Sequence, residues 1–185
     1  MIRSVAYLSF HSCPLQQPGQ HDAGGMNVYL RELGRAMAGR GVKVTVFTRR
    51  SDETTPEVVE VAPGFEVVHI EAGPATHLPM RDLYGLVGEF AEQTLAWIDR
   101  KDASFDIIHS HYWLSGWAGV LLKEKLGLPL ANSFHTLGRV KDLTRRADEA
   151  PARAIRTLTE EEVIARSDCV VASTPFEFDD LMEHY

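Results

Sequence analysis

Apolar residues recur along the chain with two different periods, and the two kinds of segment alternate. Runs of adjacent, often β-branched apolar residues predict buried strands, whereas apolar positions three or four residues apart predict helices with one face against a core. The predicted strands are Val5–Phe10, Val42–Thr48, Val58–Val61, Phe65–Ile70, Phe105–Ser110, Leu128–Phe134 and Cys169–Ser173. The predicted helices are Gly25–Arg40, Asp82–Arg100, Ser115–Leu126, Pro151–Arg166 and Pro175–Tyr185.

The alternation of strands with helices predicts the fold class. Parallel strands need crossover connections, which are usually helices, and these helices cover both faces of the sheet. The sequence therefore predicts an α/β, Rossmann-like, doubly wound domain with a mainly parallel sheet. The Pro63-Gly64 pair predicts a tight turn between two of the strands. In such folds ligands bind beyond the carboxyl ends of the strands.

Length and composition suit one globular domain, and the pattern at the end of the sequence suggests that this domain is part of a longer protein. The chain has 185 residues, of which 44% are hydrophobic and 24% charged, as in ordinary globular proteins. Its last helical pattern runs to Tyr185 without a glycine that would end the helix. We therefore expect this sequence to be one part of a longer protein.

Charge and cysteine content narrow the partners and the compartment. A net charge of −7 argues against non-specific nucleic-acid binding, which needs a basic face, but allows a small anionic ligand held by local cations. No apolar run is long enough for a membrane span or a signal peptide. Cys13 and Cys169 are far apart in sequence, which favours reduced thiols. We expect a cytoplasmic protein without a membrane span.

The connection between the first strand and the first helix is unusually long. It runs from His11 to Gly24, whereas such connections usually have about 2–6 residues. Gly24 and Gly25 let another group approach closely, and the unpaired N–H groups of the following helix suit a phosphate. The alternative is a plain loop-to-helix joint. Asn27 either reaches a ligand hydroxyl or caps the helix.

Polar residues also follow two later strands. His109 and His111 have the same parity, so they face the same side of a strand, with Tyr112 next to them. A zinc site needs a third protein ligand, which the sequence does not offer nearby, so hydrogen-bonding histidines are the better interpretation. His135 and Thr136 follow the next strand. Because these strand ends share one edge of a parallel sheet, the sequence predicts a single site there.

Arg156 and Glu160 lie four residues apart on a predicted helix, so they share a face. They form either a solvated ion pair or an arginine that is aimed at a phosphate and held by a carboxylate. The acidic run from Glu160 to Glu162 is expected to face mostly solvent.

A dinucleotide oxidoreductase is the competing function for this fold class. The Gly-x-Gly-x-x-Gly pattern is missing, and no acidic residue ends the second strand to hold a ribose. The segment 48–50, with sequence Thr-Arg-Arg, leaves open a cofactor with a 2′-phosphate. This alternative predicts quenching of NADPH fluorescence, which we do not expect.

The motifs together resemble a known enzyme family. The segments GGMNVY and IHSHYWLSG and the strand that ends in HT resemble the N-terminal half of retaining glycosyltransferases of family 4, which have the GT-B architecture. The resemblance covers essentially all 185 residues. It is strongest to the branch that acts on inositol phosphates in mycothiol biosynthesis, with sucrose-phosphate synthases as more distant relatives. It implies that residues 1–185 form an N-terminal, acceptor-binding Rossmann-like domain, followed by a C-terminal donor-binding domain.

The resemblance also implies a role for each motif residue. His135 would lie beside the transferred sugar as the catalytic residue. The backbone at the start of the first helix would bind the diphosphate of the donor, through Gly24 and Gly25. The residues implied in binding the acceptor and its phosphate are Met26, Asn27, His111, Tyr112, Thr136 and Arg156. One position departs from the inositol-phosphate branch, because Met80 falls where that branch has a phosphate-binding lysine.

The function that these expectations describe is hexosyl transfer. A nucleotide-sugar, UDP-linked, would be the donor and co-substrate, and a hydroxyl of a phosphorylated cyclitol or sugar would be the acceptor, with no cofactor and no metal. The alternative is a stand-alone, non-catalytic binding module for a phosphorylated polyol. The isolated chain is expected to bind the acceptor weakly and to transfer nothing. The sequence leaves open whether the protein forms a homodimer.

Overall fold

The structure, a computed structural model, describes residues 1–17, 19, 24–146 and 151–185. In these ranges the chain forms one seven-stranded sheet. The strands are β1 Ser4–Leu8, β2 Lys43–Arg49, β3 Val58–Ala62, β4 Phe65–Ile70, β5 Ile107–His111, β6 Leu130–Ser133 and β7 Cys169–Val170. The α-helices are α1 Gly25–Ala38, α2 Met80–Leu83, α3 Val87–Arg100, α4 Trp113–Leu126, α5 Gly138–Leu143, α6 Ala154–Arg166 and α7 Pro175–His184, and Tyr84–Leu86 is a 3₁₀ turn.

The sheet has the order β3-β4-β2-β1-β5-β6-β7. All neighbouring strands are parallel except β3, which runs antiparallel to β4. Gly64, with a φ of +79°, makes the turn that joins this pair. The order reverses at β1, whose neighbours are β2 and β5, and this is the topological switch point where such folds bind ligands. The predicted doubly wound, mainly parallel α/β fold is confirmed.

Two hydrophobic cores lie on the two faces of the sheet, and β1 supplies both. Ala6 and Leu8 belong to the larger core, and Val5 and Tyr7 belong to the smaller one. Because successive strand residues point to opposite faces, a run in which every residue is apolar indicates a strand that is covered on both sides. The larger core packs against α3, α4 and α6, and the smaller one packs against α1.

The helices of the structure differ from the predicted ones at two places. The predicted helix Asp82–Arg100 is broken into α2, the 3₁₀ turn and α3, because Gly85 lies in this segment and glycine disfavours the regular helix. The short helix α5 was not predicted, because its six residues, GRVKDL, are too few to show a helical period. None of the helices in the described ranges is long and apolar enough to cross a membrane.

Candidate functional site

The loop after β1 is organised by the side chain of Asn27. Asn27 is fully buried, and its Nδ2 donates to the carbonyl of Cys13 at 2.6 Å. Its Oδ1 accepts from the Ser12 hydroxyl at 2.7 Å and from the Gly24 N–H at 2.9 Å. The side chain therefore joins the start of α1 to the first part of the loop that follows β1. Loop residues 18 and 20–23, which precede the two predicted glycines, lie outside the described residues.

Replacing Asn27 with alanine is expected to lower the free energy of unfolding by roughly 2 kcal/mol, because buried groups on Ser12 and Cys13 and the part-buried N–H of Gly24 lose their partner. Urea unfolding followed by circular dichroism measures this. Glu32→Ala, an exposed position on the same helix, is the control and should stay within about 0.5 kcal/mol of the parent. Equal effects of the two variants would show that Asn27 does not hold the loop.

The glycines at the start of α1 leave space above the helix terminus. A Cβ built on Gly24 or Gly25 would meet no heavy atom of the described residues within 4 Å. The first N–H groups of a helix have no partner within the helix and carry partial positive charge. The arrangement can accept an anionic group at the switch point of the sheet. The donor role implied for the two glycines stays a prediction.

Three histidines from β5 and the end of β6 stack behind this edge of the sheet. The rings of His109 and His111 lie 4.2 Å apart between centroids, and His111 Nδ1 lies 3.0 Å from His135 Nε2. Tyr7 meets the first two edge-on, and Tyr29 does the same to His135. The contact with His111 engages Nε2 of the His135 ring, and Nδ1 is the second ring nitrogen of His135.

Burial keeps these imidazoles neutral. It lowers the pKa of His109 to about 4, with His135 adding to the effect, and it lowers the pKa of His111 well below its usual value. The pKa of His135 is also lowered by burial, although Glu177 acts in the opposite direction. His11, whose ring centroid lies 4.6 Å from that of Tyr112, has a pKa lowered by burial to about 4. At neutral pH these four histidines are therefore uncharged rings that can form hydrogen bonds.

Two residues at the site have left-handed backbones. His135 has a φ of +62°, and Tyr112 has a φ of +79° with a ψ of 160°. The Tyr112 conformation is nearly exclusive to glycine, and each such residue costs about 1–3 kcal/mol unless its surroundings hold it. The backbone N–H of Tyr112 bonds to the Ser133 carbonyl at 2.8 Å, which ties the turn after β5 to β6. This geometry turns both side chains toward the carboxyl edge of the sheet.

Arg156 approaches the same edge from α6 and is held by a buried carboxylate. Its Nε donates to Glu160 Oε1 at 2.8 Å, and Glu160 is fully buried. Its Nη2 donates to the carbonyl and the hydroxyl of Thr136, at 2.9 and 3.2 Å. The guanidinium carbon lies 5.2 Å from the centroid of the Tyr112 ring. Of the two interpretations of this pair, the structure supports the arginine held by a carboxylate.

The expectation that the acidic run from Glu160 to Glu162 faces mostly solvent is wrong for Glu160, which is fully buried. The Gly138 N–H donates to its carboxylate at 3.0 and 3.2 Å, and the Tyr185 hydroxyl donates to it as well. Glu162 is exposed, whereas Glu161 is partly buried and pairs with Arg139. The helical period places Glu160 alone on the inner face, because it sits four residues after Arg156.

The segments after β5 and β6, together with α5, α6 and α7, line a cleft of about 640 Å³. The predicted residues that line it are Tyr112, His135, Thr136 and Arg156. Three further charged residues line it that the sequence analysis missed: Lys141, Glu177 and Asp180. Their signal was weak, because Lys141 lies on the short unpredicted α5, and the acidic residues on α7 look like ordinary surface positions.

Three other predicted residues do not line the cleft. His111 and Asn27 are fully buried, behind His135 and under the β1 loop, and Met26 packs on the smaller core. Their observed contacts are structural, and their predicted contacts with an acceptor stay predictions. Within the described ranges, no group of three or more histidine, cysteine or acidic side chains is arranged to hold a metal ion.

Comparison with known proteins identifies the family. Residues 24–185 match the model of the glycosyl transferase 4-like domain, so the chain belongs to this glycosyltransferase family. The D-inositol 3-phosphate glycosyltransferase of Xylanimonas cellulosilytica is 46% identical over 98% of this chain, and that of Actinosynnema mirum is 43% identical over all of it. The chain spans 44% of the length of each of these relatives.

Solved structures agree with the fold. A sucrose-phosphate synthase from Thermosynechococcus elongatus superposes on 98% of this chain with a TM-score of 0.91 at 32% identity, and the match covers 45% of that protein. The rice protein Os79 T291V, solved in complex with UDP, shares the fold at a TM-score of 0.58 and 17% identity. The chain therefore has the Rossmann-like fold found in GT-B glycosyltransferases.

Proposed function

We propose that the chain is the acceptor-binding half of a retaining glycosyltransferase. The complete protein would transfer a hexosyl unit from a UDP-linked sugar to a hydroxyl of a phosphorylated cyclitol or sugar. The observation that carries the proposal is the placement of Arg156, whose guanidinium is fixed by Glu160 against Thr136 and Tyr112, in a cleft that also contains His135. The names of the relatives support an inositol phosphate as the acceptor.

The chemistry would depend on positioning more than on a strong nucleophile. Arg156 and the Thr136 hydroxyl would bind the phosphate of the acceptor by charge-assisted hydrogen bonds. The neutral His135 ring would contact the transferred sugar, and the N–H groups at Gly24 and Gly25 would stabilise the departing diphosphate. Holding acceptor and donor together in this way converts the reaction into an effectively unimolecular step. Cytoplasmic location is part of the same proposal.

Arg156→Gln is expected to weaken binding of inositol 3-phosphate to the chain by roughly tenfold or more, because a charge-assisted hydrogen bond contributes about 1.5–3 kcal/mol. Binding of unphosphorylated inositol should hardly change. Isothermal titration calorimetry measures both affinities. Arg166→Gln removes a half-exposed arginine from the same helix and is the control, and circular dichroism of both variants monitors folding, because Arg156→Gln also breaks the buried pair with Glu160. Equal loss for both polyols would contradict the role of Arg156.

Transfer itself is tested in a protein that carries both halves, made by joining this chain to the C-terminal part of the X. cellulosilytica relative. This protein is incubated with inositol 3-phosphate and UDP-glucose or UDP-N-acetylglucosamine, and NMR follows the anomeric proton of the product. A product with the anomeric configuration of the donor supports the retaining enzyme, whereas an inverted product contradicts it. Acceptor binding without any product favours the stand-alone binding module.

A further inference from the structure

A buried cysteine and a buried histidine contact each other at the start of the loop after β1. Cys13 is 9% exposed and His69 is 5% exposed, and Cys13 Sγ lies 3.5 Å from His69 Nε2. Cys13 belongs to the loop, whereas His69 lies on β4, so the contact joins positions that are 56 residues apart in sequence. Neither residue lines the cleft, and the proposed function uses neither of them.

The surroundings of His69 determine which of its ring nitrogens can accept a proton. Its Nδ1 lies 2.8 Å from the carbonyl oxygen of Pro56, and because a carbonyl only accepts, Nδ1 carries the hydrogen. Burial lowers the pKa of His69, which keeps the ring neutral at pH 7. Nε2 is then an acceptor, and the Cys13 thiol donates to it. A thiol beside an imidazole that a third group orients is the arrangement of a base-activated nucleophile.

Backbone N–H groups also contact the sulfur of Cys13. Burial raises the pKa of the Cys13 thiol, and hydrogen bonds from the N–H groups of Leu15 and Gln16 act in the opposite direction. These two donors stabilise the negative charge that the sulfur gains when its proton leaves. His69 can receive that proton during the reaction itself, so the thiol does not have to be ionised beforehand.

A cavity of about 580 Å³ lies beside this pair. Both Cys13 and His69 line it, together with residues from the segment between β2 and β3, among them Ser51, Asp52 and Thr55. Its volume is in the usual range for sites that hold small molecules. None of its lining residues lines the cleft, so a reagent in this cavity does not occupy the space of a substrate in the cleft.

We propose that Cys13 is a thiol–disulfide exchange site and that His69 is its general base. The reagent would be a low-molecular-weight disulfide in this cavity. The Cys13 sulfur attacks one sulfur of the reagent while His69 Nε2 takes the thiol proton, and the disulfide bond of the reagent breaks. The leaving thiolate then takes the proton from His69. Cys13 is thereby oxidised to a mixed disulfide, and the reagent is reduced to one free thiol.

The mixed disulfide would also affect the start of α1. The carbonyl of Cys13 accepts from Asn27 Nδ2 at 2.6 Å, and Asn27 Oδ1 accepts from the Gly24 N–H at 2.9 Å. A group attached to the buried sulfur pushes the loop away from His69, and these hydrogen bonds transmit the displacement to the helix terminus. Oxidation of Cys13 would therefore regulate the binding of the donor diphosphate there. This last link rests on the proposed function, whereas the exchange site does not.

Reaction of the folded chain with cystamine, followed by mass spectrometry of its peptides, tests the exchange site. The Cys169→Ser chain keeps Cys13 as its only cysteine and is expected to form one mixed disulfide, which a reducing agent reverses. Adding His69→Asn is expected to lower the rate constant roughly a hundredfold, the lower end of what a positioned base contributes. Asparagine keeps an N–H donor next to the Pro56 carbonyl, and circular dichroism checks that the variant is folded.

Two controls separate the action of a base from a change in access to Cys13. The Cys13→Ser chain retains the exposed Cys169, whose rate should not respond to His69→Asn. The second control is the pH profile between pH 7 and pH 8. With His69 the Cys13 rate should change little, whereas with His69→Asn it should rise about tenfold per pH unit, as ionisation of a thiol alone requires. Asp52 in the cavity and Arg50, whose charge adds to the lowered pKa of His69, are present in both chains.

The outcomes separate this inference from the proposed function. A Cys13 that reacts only in urea, or equally fast in the His69→Asn chain, would overturn the exchange site. Amide hydrogen exchange in residues 24–30 is expected to be faster after modification, and unchanged exchange would overturn the link to α1. If exchange becomes faster but the unmodified chain binds no UDP, the regulation of the helix terminus stands and the donor assignment fails.

Discussion

Lowering the pH from 7 to 4.5 is expected to destabilise the chain by several kcal/mol through its buried histidines. His11 and His109 each have a pKa lowered from 6.5 to about 4 by burial. Below pH 6.5 the unfolded chain binds protons that the folded chain does not accept until about pH 4. The unfolded state therefore binds more protons in this window, and stability falls as the pH falls. Each of the two residues contributes on the order of 3 kcal/mol across the window.

Urea unfolding at pH 7, 6, 5 and 4.5 measures this dependence. His109→Gln should lower the number of protons taken up on unfolding by about one, because one linked group is gone. Gln93→Ala changes an exposed residue that does not titrate and serves as the control, with the slope of the parent chain expected. The carboxylates of Asp52, Asp106 and Asp168 have lowered pKa values and act at still lower pH. A free energy of unfolding that is equal at pH 7 and pH 4.5 would refute the neutral histidine group.

Glu160→Gln is expected to lower the free energy of unfolding by about 3 kcal/mol or more, because breaking a buried ion pair leaves an uncompensated charge. Glutamine has nearly the same shape as glutamate, so no cavity forms. The cost instead comes from Arg156, which is 8% exposed and would keep its charge without a carboxylate. The Gly138 N–H and the Tyr185 hydroxyl also donate to this carboxylate, so the effect reaches α5 and α7.

Glu162→Gln is the matched control, since it removes the same group two positions further along α6. Glu162 pairs with Arg166 at 3.1 Å, with about half of each side chain exposed, and exposed pairs contribute about 0–1 kcal/mol. Thermal and urea unfolding of both variants give the comparison. Similar losses for the two would mean that the Arg156–Glu160 pair stabilises no more than a surface pair, and it would remove the argument that Glu160 fixes Arg156 in the cleft.

The site residues that could be predicted from the sequence are those that follow a predicted strand or share one face of a predicted helix. His135 and Thr136 come one residue after the end of β6, and Tyr112 directly follows β5, so any parallel sheet brings them to one edge. Lys141 could not be predicted in this way. It lies on a helix of six residues, and its place in the lining of the cleft depends on how α5 packs beside α6.

The sequence alone determined the doubly wound α/β class, the edge of the sheet that carries the site, and the pairing of Arg156 with Glu160. The reason is that apolar periodicity and the four-residue helical spacing are local properties, which survive in any arrangement of the elements. Only the tertiary structure decided which polar residues are buried. Asn27 and Glu160 are both fully buried, and burial keeps the histidines neutral. Burial depends on which elements lie against one another, and this packing sets both the protonation of the histidines and the charge available in the cleft.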